Sequence, residues 1–293
     1  MMKKILFTFI SICMLGASSN AQDTPSDKQS DFDKKFRFGI RATPQPTWFK
    51  SDNVNSKAAG ANFGFGFGLI MEFKLSKIVH FSTGIGGDFE GGYINYRNEA
   101  DFSVNAVLNS EGQYVVIKDG NITDEIKFAN GNTQVIMKDR QFKSTFVTIP
   151  LILKMMTEEY GGARYFAMFG GELGIRAGLK ANDSYVSGIK STVTGTTTAT
   201  AFVSEADLSK SKIDISKDGS LVPMRLGMNL GLGTEYRLGG STSLVFSLNY
   251  FQSFTNLMQK ESEFLVKSTN TESKELNQGY FMRAIRINVG LLF

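Results

Sequence analysis

The 293-residue sequence has one cysteine, one histidine, one tryptophan and five prolines. The cysteine, Cys13, lies in an apolar stretch near the N-terminus that is expected to be cleaved. A mature chain without it has no disulfide framework, no thiolate metal site and no cysteine nucleophile. One histidine, His80, leaves every imidazole-dependent mechanism a single residue to use, and no cluster of metal-ligating type or calcium-loop spacing accompanies it. Charge of one sign is also lacking. The formal net charge is +4, and loss of Lys3 and Lys4 with the leader leaves about +2, which argues against a nucleic-acid partner. Beyond the leader there is no long uninterrupted apolar run, so a helical membrane protein is excluded. No cofactor is expected.

What the chain does have begins with that leader. Residues 1–22 read MMKKILFTFISICMLGASSNAQ: a basic start, an apolar run from Ile5 to Leu15, and a small-x-small exit at Ser19-Asn20-Ala21. This is the layout of a secretory signal peptide, too short to span a bilayer as a helix. The expected division is therefore a signal peptide over 1–21, a polar lead-in over 22–35 and one β-barrel domain over 36–293.

Glycine and phenylalanine are abundant, and their pattern is informative. In ANFGFGFGLIMEFKL (61–75), Phe63, Phe65, Phe67, Leu69, Met71, Phe73 and Leu75 fill every second position, opposite Asn62, three glycines, Ile70, Glu72 and Lys74. Period two predicts a strand with one bulky apolar face. Seven further segments repeat the pattern, and strands are predicted at 36–49, 61–75, 79–96, 142–156, 164–180, 222–238, 241–255 and 280–293. The connections alternate. Short ones lie at 76–78, 157–163 and Gly239-Gly240, the last a two-residue hairpin signal. Long ones lie at 50–60, 97–141, 181–221 and 256–279. The predicted fold is all-β: an eight-stranded antiparallel up-and-down transmembrane barrel with short periplasmic turns and long extracellular loops. The apolar face then meets lipid and the glycine row meets a lumen with little room. Aromatic residues near strand ends fit interfacial girdles: Trp48, Phe49, Tyr93 and Tyr250 at one rim, Phe36, Tyr165 and Tyr236 at the other. The parity by itself also permits an inverted, soluble, ligand-holding barrel.

The stretches TFVTIPLILKM (145–155), YFAMFGGELGIRAGL (165–179), LGMNLGLGTEYRL (226–238), SLVFSLNYFQSFTNL (243–257) and the final RINVGLLF resemble the PorT-like outer-membrane β-barrel family of the Bacteroidetes. The resemblance implies an outer-membrane location and contact with lipid. Some members are linked to a system that secretes proteins across the outer membrane, so an accessory role in secretion is what the resemblance adds. It brings no catalytic set.

The sequence offers few chemical candidates, and no catalytic, cofactor-binding or metal-binding residue is singled out. His80 sits beside a short turn, at the rim opposite the one facing external substrate, and is read as an interfacial polar residue. GFGFG and GIGG lack phosphate-loop spacing and open no helix. By parity the lumen receives Arg37, Arg41, Glu72, Lys74, Asp88, Glu90, Lys154, Glu172, Arg176, Arg225, Glu235, Arg237 and Arg286. Such charges form either an ionic plug or an ion path, and the plug is favoured because isolated buried ions are costly. The loop at 97–141 still alternates, so the third and fourth strands are expected to continue above the membrane. The uncharged stretch 191–200 is expected to be mobile. The functional expectation is a non-enzymatic envelope barrel with a structural or protein-interaction role through loops 97–141 and 181–221. A small channel and a barrel enzyme acting on lipid are the alternatives. The terminal apolar alternation ending in Phe293 is expected to be read by the barrel-insertion machinery.

Overall fold

In the computed structural model the described residues are 34–51, 56–96, 103–117, 120–194, 197–214, 222–258, 261–268, 273–277 and 279–293. The leader and most of the lead-in lie outside them. Eight antiparallel ladders close a ring. β1 (Phe36–Ser51) pairs with β2 (Ser56–Lys74), and β2 pairs with β3 (Val79–Thr83) and β4 (Gly86–Tyr96). These two pair with β6 (Thr133–Met156), which pairs with β7 (Ala163–Thr194). The ring continues through β9 (Met224–Gly239) and β10 (Thr242–Ser253) to β13 (Tyr280–Leu292). β13 returns to β1, with Ile40 opposite Leu291 and Thr47 opposite Ala284. The predicted third strand is thus one barrel position built from β3 and β4, broken at Gly84-Ile85. The closed ring leaves no unpaired edge at membrane depth, where an unpaired backbone group has no water to turn to.

The faces follow the period-two pattern. Phe63 is 75 % exposed, and Phe65, Phe67 and Leu69 are also exposed, while Gly64 and Gly66 are buried between them. Met224, Leu226, Leu230 and Leu232 repeat this on β9, opposite the buried Arg225 and Asn229. Large apolar groups outside and ions inside are the reverse of a soluble ligand-holding barrel. On β7 the outward set from Tyr165 to Ile175 covers about 25 Å at the usual strand tilt, the height of an outer-membrane apolar band.

Glycine is required where the lumen is fullest. A Cβ on Gly227 would lie 2.5 Å from the Phe251 ring, and one on Gly92 would lie 2.5 Å from that of Phe49. At the β9–β10 turn, Gly240 has φ +57°, left-handed backbone that suits the two-residue hairpin.

The strands of the extracellular side run past the membrane. β7 continues to Thr194 and forms a hairpin with β8 (Thr197–Asp214), so the stretch expected to be mobile is drawn into a paired ladder on either side of 195–196. β5 (Ser103–Leu108) pairs with the upper part of β6, giving the expected continuation of the third and fourth strands. β11 (Glu261–Ser268) adds to β5, and β12 (Ser273–Asn277) adds to β11. A short helix, α1 (Asp124–Phe128), lies between β5 and β6, capped by Thr123. This extension shares one apolar core with the upper lumen: Val104, Ala106, Met137, Leu265 and Leu276 join Phe142, Phe146 and Phe251.

Two parity assignments are corrected. Thr145 pairs with Gly178 but Phe146 pairs with Arg176, so Ala177 is an extra residue, a β-bulge. Beyond it the faces of β7 exchange: Leu179 is buried at 1 %, Lys180 is exposed, and Arg176 is only half-buried. Phe49 is not a girdle residue. It is 3 % exposed and packs edge-on against Phe142, with ring centroids 5.8 Å apart.

Candidate functional site: a lumen closed by two ion clusters

Strands β1, β2, β3, β6 and β9 bring five groups together near the short-turn end. The Arg37 guanidinium is paired with both Glu72 and Glu235. The Lys154 ammonium also meets Glu72. His80 Nδ1 lies 2.9 Å from the same carboxylate. His80 is 1 % exposed, which overturns its reading as an interfacial residue: β3 turns it into the lumen, where Glu72 holds it. Two cations and two carboxylates balance there.

The second cluster lies deeper, on β1, β4, β7, β9 and β13. Glu172 accepts from Arg225 Nη2 at 2.8 Å, Arg286 Nη1 at 2.5 Å, Arg286 Nη2 at 3.1 Å and Asn229 Nδ2 at 3.2 Å. Arg225 is also paired with Glu90, and Arg286 Nε donates to Gln45 at 2.7 Å. Asp88 accepts from Thr148 at 3.0 Å and lies 3.7 Å from Arg286. Aromatic faces complete the enclosure. Arg225 stands 4.5 Å from the Phe146 and Phe251 centroids, and Arg286 stands 4.1 Å from that of Phe251. Guanidinium groups stack on rings in this way without giving up their hydrogen bonds, which suits a narrow lumen.

Between the clusters lies a cavity of about 60 Å³ whose polar lining includes Arg41, Lys154, Glu172, Asn229, Asn249 and Asn288. It has room for a few water molecules. Nine of the charges placed inward by parity are buried: Arg37, Glu72, Asp88, Glu90, Lys154, Glu172, Arg225, Glu235 and Arg286. Arg41 and Lys74 are half-buried. Arg237 instead leaves the lumen and reaches Glu159 on the 157–162 turn at 2.6 Å, where both are partly exposed. Among the described residues no group of three or more acidic, His or Cys side chains is placed to hold a metal ion.

A third arrangement was not visible in the sequence. Arg140 on β6 forms two bonds to Asp183 on β7, at 2.7 and 2.8 Å, and Tyr114 from the loop after β5 donates to the same carboxylate. Arg140 lies 5.3 Å from the Tyr114 ring centroid. The three ties are non-local, and no spacing in the sequence points to them. Burial, reinforced by the Asp183 carboxylate, pushes the Tyr114 phenol above its usual range. Its folded-state value therefore exceeds the unfolded one, near 10, so its stabilisation is complete below about pH 10 and is lost as the pH rises further. Tyr114→Phe should cost about 1–2 kcal/mol at neutral pH, through the lost hydrogen bond to a charged acceptor. It should also flatten the alkaline decline, and urea unfolding at pH 8 and pH 11 checks both. An unchanged alkaline slope would remove Tyr114 from the account.

A family model for the outer membrane protein β-barrel domain matches residues 20–259. Similar solved structures include Neisserial surface protein A, 10 % identical, covering 87 % of this chain and 95 % of that one with a TM-score of 0.34. Others are Ail, the attachment invasion locus protein of Yersinia pestis (9 %, covering 89 % and 100 %, TM-score 0.31), and the outer membrane protease OmpT from Escherichia coli (9 %, covering 92 % and 99 %, TM-score 0.32). No curated protein matches the sequence. With lipid-facing side chains outside a closed ring and most of the chain matched by that model, the chain belongs to the outer membrane protein β-barrel domain family and resides in the outer membrane.

Proposed function

We propose that this barrel is a non-enzymatic, non-conducting envelope protein that presents its extracellular extension to other proteins. The observation that carries the reading is the closure of the lumen. Two ion clusters and an apolar core occupy it from the short turns up to the extension. An ion crossing this interior would have to break several desolvated pairs, which is costly. The enzyme alternative is disfavoured by the position of His80, which is engaged by Glu72 beneath the lumen packing, remote from the extracellular rim. Loops on a rigid scaffold are where binding tends to reside.

Within the family, the resemblance of 145–155 and 165–179 to the PorT-like barrels supports a role accessory to protein secretion, with envelope or secretion proteins as partners. Planar-bilayer recording tests the closed lumen: the purified barrel should give no stable steps of porin size. Such steps from a clean preparation would overturn the reading in favour of the small-channel alternative.

A further inference from the structure

On the outer wall, near the extracellular rim, two lysines face each other. Lys143 on β6 is the direct cross-strand partner of Lys180 on β7, and both are exposed. Directly opposed like charges destabilise a sheet pair, with Cβ atoms only about 4.5–5.5 Å apart. On its other side Lys180 pairs with Asp214 of β8, whereas Lys143 has Gly91 of β4 there. The bulge at Ala177 is what turns Lys180 outward, so the juxtaposition is built by the backbone.

Below the lysines the wall becomes apolar, with Val147 and Leu151 on β6 and Ile175 and Phe169 on β7 all exposed. Beside them lies Tyr93, which receives a hydrogen bond from Gln141 Nε2 at 2.6 Å. The lysines therefore stand at the upper edge of the apolar belt, the depth of outer-leaflet phosphates. A depression of about 420 Å³ opens next to Lys143, walled by Phe63, Phe65, Phe89 and Thr145. It lies within the size range of ligand clefts, roughly 300–1,000 Å³. It lies where the β2–β4 ladder slips, between Ala61 and Phe65.

We propose that this wall holds one phosphorylated acyl lipid of the outer leaflet, its phosphate between Lys143 and Lys180 and a chain in the Phe63–Phe65–Phe89 depression. Two ammonium groups on flexible stems can converge on one phosphate as point charges. The bound phosphate turns a repulsive cross-strand pair into a bridged one.

The test is native mass spectrometry of the full-length mature barrel in detergent, titrated with bis-phosphorylated lipid A, its dephosphorylated counterpart and phosphatidylcholine. Wild type should retain one lipid A. Lys143→Gln with Lys180→Gln should weaken retention about thirtyfold. Lys143→Arg with Lys180→Arg should retain it. Thr145→Trp, which fills the depression and leaves both lysines in place, should also lose it. Heat-modifiable gel mobility confirms folding of each variant. Equal retention by the glutamine variant, equal binding of the dephosphorylated lipid, or displacement by inorganic phosphate alone would each overturn the proposal.

Discussion

Glu172→Ala should destabilise the folded barrel by about 3–5 kcal/mol, the usual cost of removing one member of a buried ion cluster. The carboxylate accepts four hydrogen bonds from Arg225, Arg286 and Asn229. Without it Arg225 keeps Glu90, but Arg286 is left with Gln45, with Asn229 Oδ1 at 3.3 Å and with carboxylates 3.7 and 3.9 Å away. The stacked Phe251 ring cannot replace the lost acceptor. Urea-dependent unfolding in lipid vesicles measures the change. Glu159→Ala supplies the comparison, because its pair with Arg237 is partly exposed and should be worth less than about 1 kcal/mol. A loss below about 1 kcal/mol for Glu172→Ala would mean that water screens the mid-barrel cluster, and the plug would then be no barrier.

The second large effect tests which face meets lipid. Leu248 and Asn249 are consecutive on β10, at nearly one depth, with Leu248 53 % exposed and Asn249 5 % exposed. Leu248→Arg places a charge against acyl chains and should cost about 2–4 kcal/mol near the midplane. Asn249→Arg enters a lumen with carboxylates and a small polar cavity nearby. Its Oδ1 already lies where a Cβ on Gly231 would be, so the larger side chain should cost about 1–3 kcal/mol through overpacking. The folded fraction across a denaturant series separates the two. If Asn249→Arg proved the harsher change by several kcal/mol, the assigned faces of β10 would have to be exchanged.

Period two was enough to read the barrel strands, because a one-residue slip would put a whole apolar set on the wrong face. Phe63, Phe65 and Phe67 admit one orientation, and Gly239-Gly240 marks its turn to within one residue, since Gly239 still pairs with Thr242 and the loop residues are Gly240 and Ser241. The inward position of Arg37, Glu72, Glu172, Arg225 and Arg286 followed from the same parity. What parity cannot carry is an interruption of itself. Ala177 has no composition that distinguishes a bulge from an ordinary strand position, so strict parity would put Leu179 outside and Lys180 inside, the reverse of what is seen. His80 was misjudged for a different reason. A lone polar residue beside a turn looks interfacial until its cross-lumen partner is known, and Glu72 joins it only through the β2–β3 pairing. The Arg140–Asp183–Tyr114 group spans three segments whose closeness depends on the extension, which local patterning does not specify.

The ties across the lumen also bear on how the barrel resists being pulled apart. Arg37 joins Glu235, 198 positions away in the chain, and Arg286 joins Gln45, 241 positions away. A ladder of hairpins without such ties would yield to traction at one terminus strand by strand, each step releasing a similar load. Here, drawing β13 out by the C-terminus must break the Arg286 bonds to β1 and β7 together with two backbone ladders. Single-molecule extraction from a bilayer should therefore show its highest rupture force at the first strand, followed by lower steps through the weakened remainder.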